Sequence, residues 1–225
     1  VIEKYNKILD FKEVLEKEPK KFTVIRHDVE FSVMRAYKMA QVEDFIGIKT
    51  SYLFQIRNNA YNLFSPENIR LVKEIAKMGH HIGLHVHLDS LKDVNEITDY
   101  VQRDIKTMED ILEIPIDRYS FHRPTSNVLK RSVSIEDKIN CYSFPFFDYR
   151  ESGEGFDNVR IKYITDSRHR WNYGVPDKKT VKNFSKIHLL VHPYSWTIKG
   201  LDNFSNFSSL IEEKTEELLK TFASE

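Results

Sequence analysis

Apolar runs of strand length alternate with segments of helical period along most of this chain, and several runs end in clusters of catalytic residue types. This alternation predicts a mainly parallel sheet with helices packed outside it, an α/β fold. Strands are expected at residues 22–25, 50–54, 81–85, 119–121, 141–143, 159–164 and 187–191. Helical spacing covers 4–18, 33–46, 93–113, 126–131 and 207–223. A further helix starts at Ser65-Pro66, where Ser65 can cap and Pro66 suits the first helical position, and runs to Met78. Gly47 and Gly79 end their helices. Residues 145–159 read as a loop and 170–186 as irregular.

Such a sheet either stays open or closes into a barrel. In an open sheet, loaded strand ends spread along an edge and meet only at a switch point. In a barrel they converge on one face, where loops build active sites. The polar clusters follow most of the strands, which favours the barrel.

The 225 residues suffice for one domain with its own core, and no linker, repeat or low-complexity tract divides them. The expected organisation is a single domain over 1–225, with a motif-bearing core at about 20–197 and helices at both ends. The formal charge is +0, which disfavours nucleic acid as a partner. No apolar run reaches membrane-spanning length. Val1-Ile2-Glu3-Lys4 does not resemble a signal peptide, so a cytoplasmic location is the default expectation. The single cysteine, Cys141, reads as a buried small hydrophobe.

The chemistry concentrates in four places. Arg26-His27-Asp28-Val29-Glu30 ends the first strand, and His85-Val86-His87-Leu88-Asp89 ends the third. Residues at i and i+2 of a strand point the same way, so Asp28 and Glu30 can face one cavity, as can His85 and His87. Carboxylate and imidazole are the ligand types of zinc and related divalent ions, and four such groups can supply a base and three ligands. Asp89 is a reserve ligand, as is Asp28. Asp89-Ser90 could equally cap the next helix. His80 and His81 read as structural or exposed. Ser120-Phe121-His122-Arg123-Pro124 brings a guanidinium that orients a carboxylate, binds an anionic substrate or makes a surface ion pair. His192 follows an apolar strand and is a candidate acid, the alternative being a core histidine bonded to backbone. Asp166 could orient a histidine and Trp171 could stack on a sugar; a helix cap with a packed Trp is the other reading. Asn58, with its neighbours after the second strand, could offer amide donors to substrate.

These motifs, in this order, resemble the polysaccharide deacetylase family (NodB homology, carbohydrate esterase family 4, CE4), and more narrowly a branch found among bacterial surface-polysaccharide biosynthesis proteins. The corresponding segments are Arg26-His27-Asp28-Val29-Glu30, Gly79-His80-His81-Ile82-Gly83-Leu84-His85, Ser120-Phe121-His122-Arg123-Pro124, Tyr163-Ile164-Thr165-Asp166-Ser167 with Trp171, and Leu189-Leu190-Val191-His192-Pro193 with Trp196. The resemblance implies a distorted (β/α) barrel of about seven parallel strands, a divalent metal that is usually zinc, and removal of an N- or O-linked acetyl group from a sugar or glycan precursor. By position it implies Asp28 as catalytic base, His192 as acid, Arg123 steering the base and Asp166 partnering the acid. Glu30 and His85 would be metal ligands, and His122 lies with Asn58 and Trp171 among the expected substrate contacts. The family's aspartate is replaced by Glu30, and its second ligand histidine would fall at Asp89. His87, one strand period after His85, is the expected substitute. These departures leave a rival reading, a catalytically silent carbohydrate-binding or assembly protein on the same barrel.

Overall fold

Seven strands form one all-parallel sheet in the order β5-β4-β3-β2-β1-β7-β6. They are β1 (Phe22–Val29), β2 (Ser51–Phe54), β3 (His81–His87), β4 (Arg118–His122), β5 (Ile139–Asn140), β6 (Lys162–Thr165) and β7 (Lys186–Val191). The helices are α1 (Phe11–Lys17), α2 (Val33–Phe45), α3 (Pro66–Lys77), α4 (Val94–Leu112), α5 (Ser126–Lys130), α6 (Lys178–Asn183) and α7 (Asn203–Ser224). This computed structural model describes residues 6–88, 93–131, 133–148, 161–171, 173–198 and 202–224.

Two contacts require the sheet to curl. Ser120 on β4 lies 3.3 Å from Asp28 on β1, although in a flat sheet three strand spacings would separate them by about 14 Å. Tyr142, just past β5, and Tyr163 on β6 have ring centroids 6.4 Å apart. Those are the two edge strands, about 29 Å apart if flat. The result is a distorted barrel with its interior face closed around side chains.

Every residue of β1 is buried, because helices cover one face and the barrel interior the other. On the outer face Val29, Tyr52, Phe54, Ile82, Leu84, Val86, Tyr119 and Phe121 share a core with α2, α3 and α4. The helices start where local chemistry dictates. Asp10 and Glu13 form a capping box on α1, Ser65 caps α3 ahead of Pro66, and Asp93 caps α4. Inside, Leu9, Phe11 and Val14 pack on Phe22, Val24, Leu53, Cys141 and Phe146. Cys141 is fully buried, and burial pushes its thiol up to about 12, so it is the inert small hydrophobe expected.

Gly83 has a specific steric reason. A Cβ there would sit 2.7 Å from Cγ of Arg118 and 3.0 Å from its carbonyl oxygen. The glycine therefore clears the path by which Arg118 crosses the interior.

Several boundaries differ from the sequence reading. The first helix begins at Phe11 rather than residue 4, because residues 7–9 instead pair with Thr23 of β1. The strand expected at 141–143 is instead Ile139–Asn140, with Cys141 hydrogen-bonded to Tyr119 beyond the strand proper. The irregular stretch contains α6, capped by Asp177. The closing helix starts four residues early, at Asn203, where the Asp202 carboxylate accepts the Ser205 amide. Most of the loop expected at 145–159 lies outside the described residues. No helix among the described residues is long and apolar enough to cross a membrane.

Candidate active site

At the carboxyl ends of the strands a cavity of about 490 Å³ is lined by Asp28, Glu30, His85, Arg123 and His192, among others. It lies within the usual size range of small-molecule sites. Glu30 follows β1 directly, and the side chains on the inner face of β3 and β4 meet it there.

Ligand-type atoms of Glu30, His85 and His122 all lie within 4.8 Å of one another, a group that could hold a metal ion. His122 Nδ1 is 2.8 Å from Glu30 Oε1 and 3.3 Å from His85 Nε2, and His85 Nε2 is 3.7 Å from Glu30 Oε1. His85 Nδ1 sits 2.8 Å from the Ser120 hydroxyl. That contact turns the ring's other nitrogen toward the cluster, as a partner behind a ligating imidazole does. Burial opposes the charge of Glu30, but hydrogen bonds from His122 and His85 and the nearby His192 outweigh it and hold the carboxyl well below its ordinary range. A glutamate and two imidazoles make a donor set that suits zinc with a position left for water.

The expected third ligand is His87, but the group close enough to share an ion contains His122 in its place. Parallel pairing sets His85 beside Ser120 and His87 beside His122. His122 turns inward to Glu30, while His87 is exposed and stacks its ring on His122 at 5.1 Å. Asp89, the reserve ligand, lies outside the described residues.

Asp28 is buried beside this cluster. The Arg26 guanidinium grips it in a fork, with Nε to Oδ1 and Nη2 to Oδ2 both at 3.3 Å. Ser120 Oγ donates to Asp28 Oδ1 at 3.3 Å, so one hydroxyl touches both Asp28 and His85. Arg26 itself is fully buried and sits 4.3 Å over the Tyr142 ring. Arg123, expected on Asp28, makes no described hydrogen bond or ion pair with it and instead lines the cavity wall. Arg26 stands in the same motif, and its i, i+2 spacing from Asp28 on one inward strand face is the sequence signal for this contact.

On the far side, His192 Nδ1 lies 2.7 Å from Asp166 Oδ1. The same carboxylate accepts the His192 backbone N–H and the Trp196 indole N–H at 2.7 Å. Burial pulls the imidazole down, yet the Asp166 hydrogen bond and the charge of Glu30 overcome it and raise its pKa. His192 Nε2 is left 3.8 Å from Glu30 Oε1, facing the cluster. Asp166 and His192 therefore meet as the order of motifs implied.

Two expected substrate contacts are occupied elsewhere. The Asn58 amide donates to the Glu30 carbonyl oxygen at 2.8 Å and to Gln55 Oε1 at 2.5 Å, while its oxygen accepts from Ala60. Both its donors are used in holding the loop that carries Glu30. Trp171 packs edge-on against Trp196 at 6.2 Å and against the outer core, so it braces the indole that bonds Asp166. His80 bonds Thr50 and the Ala40 carbonyl, a structural role as expected.

No family model matches the sequence, and no curated protein matches it. Solved structures do. A CE4 esterase from Streptococcus mutans aligns with a TM-score of 0.54 at 10% identity, over 85% of this chain and 82% of that one. A CE4 family pseudoenzyme from Bacillus anthracis aligns with a TM-score of 0.50 at 12% identity, over 88% of this chain and 62% of that one. A mutant CE4 family pseudoenzyme gives 0.51 at 15%, over 86% and 63%. The chain thus spans less than two thirds of those pseudoenzymes' length. With its seven curled parallel strands and its strand-end cavity, the chain carries the fold of carbohydrate esterase family 4.

Proposed function

We propose that the protein is a metal-dependent hydrolase that removes an N- or O-linked acetyl group from a sugar or glycan precursor. The observation that carries this reading is the convergence on one cavity of a possible metal group, a forked aspartate and an aspartate–histidine pair. Glu30, His85 and His122 would hold the ion. When bound, a divalent ion of the zinc type supplies Lewis-acid polarisation of an acyl carbonyl and of a water.

The protein's own groups divide the remaining work. Asp28, held in the Arg26 fork, accepts the proton of the attacking water. His192, carrying its proton through the Asp166 contact, donates it to the departing nitrogen or oxygen of the sugar as the acyl bond breaks. Ser120 holds both Asp28 and His85 in register, and Asn58 holds the backbone of Glu30.

The test measures acetate release from acetylated amino sugars by the zinc-supplemented protein and by Asp28→Asn and His192→Ala separately. Each variant is expected to lose about 10²- to 10⁴-fold in turnover. Full activity in either would remove its assigned role. His122→Ala is expected to abolish stoichiometric zinc uptake, whereas His87→Ala keeps it; metal analysis of the purified variants decides between the two histidines. The catalytically silent alternative draws support from the pseudoenzymes among the similar structures and from the replaced ligands. It predicts glycan binding with no metal uptake in the unaltered protein.

A further inference from the structure

The wall of the active-site cavity carries three arginines, Arg123, Arg168 and Arg170. All three are exposed, and among the described residues none has a side-chain hydrogen bond or ion pair. Four other arginines do have carboxylate partners: Arg35 with Glu213, Arg57 with Asp104, Arg70 with Glu67 and Arg118 with Asp10. The acidic groups of the cavity offer no partner, because Asp28 is taken by Arg26 and Glu30 by His122 and His85. Arg123 directly follows a candidate ligand, and Arg168 lies two residues beyond Asp166. Both hold left-handed backbone, with φ of 47° and 58°, so neighbouring structure fixes where these two residues sit. A neighbouring cavity shares Glu30 and Arg123 with this one but has neither Arg168 nor Arg170. Gln55, Asn58 and Asn59 line it, and its Arg57 is paired with Asp104.

We infer that this arginine wall is an anion subsite, and that the sugar acted upon carries a phosphate or diphosphate. Guanidinium forks match phosphate oxygens in geometry and charge. Their placement beside the reacting centre, not across the outer surface, ties the anion to the same molecule as the acyl group. The aromatic side chains Tyr142, Tyr163 and Tyr194 line the same cavity and leave the sugar ring an amphipathic bed. The phosphate could belong to a nucleotide-linked or a lipid-linked sugar, since both present the same group. This inference rests on the proposed hydrolase reading for its acyl group but not for its anion.

Calorimetric titration of the full, zinc-supplemented Asp28→Asn chain tests it, with turnover suppressed. The probes are N-acetylglucosamine, its 1-phosphate, a uridine-diphosphate form and a short prenyl-diphosphate form. The phosphorylated probes are expected to bind at least tenfold tighter than the neutral sugar, and raised salt should shrink that ratio. Adding Arg168→Gln and Arg170→Gln should cut the ratio about tenfold or more, with an unchanged circular dichroism spectrum. A preference between the last two probes identifies the source of the phosphate and supports the subsite either way. Equal affinity for neutral and phosphorylated sugars, or a ratio indifferent to salt and to both substitutions, overturns it. Tight, arginine-dependent phosphate binding without acetate release from any sugar by the unaltered protein would keep the subsite and sink the hydrolase. Acetate release with no phosphate preference would do the reverse.

Discussion

Two guanidiniums are fully buried inside this barrel, Arg26 and Arg118, and they are used in opposite ways. Arg118 sits toward the amino ends of the strands, where it bonds Asp10, Asp117 and Ser51. Arg26 sits nearer the cavity, holds Asp28 alone, and otherwise faces the ring of Tyr142. Among the described residues its Nη1 has no hydrogen-bond partner, and its Nε makes only the long contact to Asp28. Burial disfavours both charges, and in both cases neighbouring anions keep them. A buried ion with all its partners satisfied is a strut. One with a single partner concentrates its field on that partner, here the candidate base. The same device thus closes one end of the barrel and arms the other.

The largest effect should come from the strut. Arg118→Met leaves Asp10 and Asp117 without their partner and should cost about 3–5 kcal/mol in urea unfolding. A loss below about 1 kcal/mol would reduce the cluster to surface electrostatics and end the contrast. Arg26→Gln should act on chemistry more than on folding. Turnover should fall about 10- to 100-fold at nearly constant KM, the signature of an interaction felt in the transition state. If KM rose instead with turnover unchanged, Arg26 would belong to binding and not to Asp28.

The smallest effect sharpens the rule on the outer face. Glu43 accepts from His27, Thr50 and Tyr52. Burial opposes its charge, but His27 and the two hydroxyls pull the carboxyl down to about 2 from 4.5. Its folded pKa is depressed, so its contribution is complete above pH 4.5 and is lost as pH falls through about 2. Glu43→Gln should therefore cost about 2 kcal/mol at neutral pH, with the gap to the unaltered protein narrowing as acid approaches pH 2. A gap that stayed constant across this range would mean the carboxylate charge adds nothing.

Much of this was legible along the chain, and the illegible part has a common cause. Period-two geometry correctly turned Asp28 and Glu30 into one cavity, and the order of motifs anticipated Asp166 beside His192. The same rule did not anticipate the third member of the candidate metal group, which is His122. His85 and His87 share a strand face, but β4 lies alongside and its His122 reaches Glu30 first. Ser120 was visible only as a motif letter, since its double contact with Asp28 and His85 spans β1, β3 and β4. Trp171 takes the packed alternative for a similar reason: it lies against Trp196, whose indole N–H reaches Asp166 by a loop path that no motif specifies.

Local sequence determined the strands, the helix starts at Asp10, Ser65 and Asp93, and the loading of strand ends with imidazoles and carboxylates, because propensity, capping and alternation act over a few residues. The curl of the sheet decided the rest. It chose which side chains from different strands became neighbours, so the place of His122 rather than His87 beside Glu30 and the contact of Ser120 with both Asp28 and His85 are properties of inter-strand register and burial, quantities that no short stretch of chain contains.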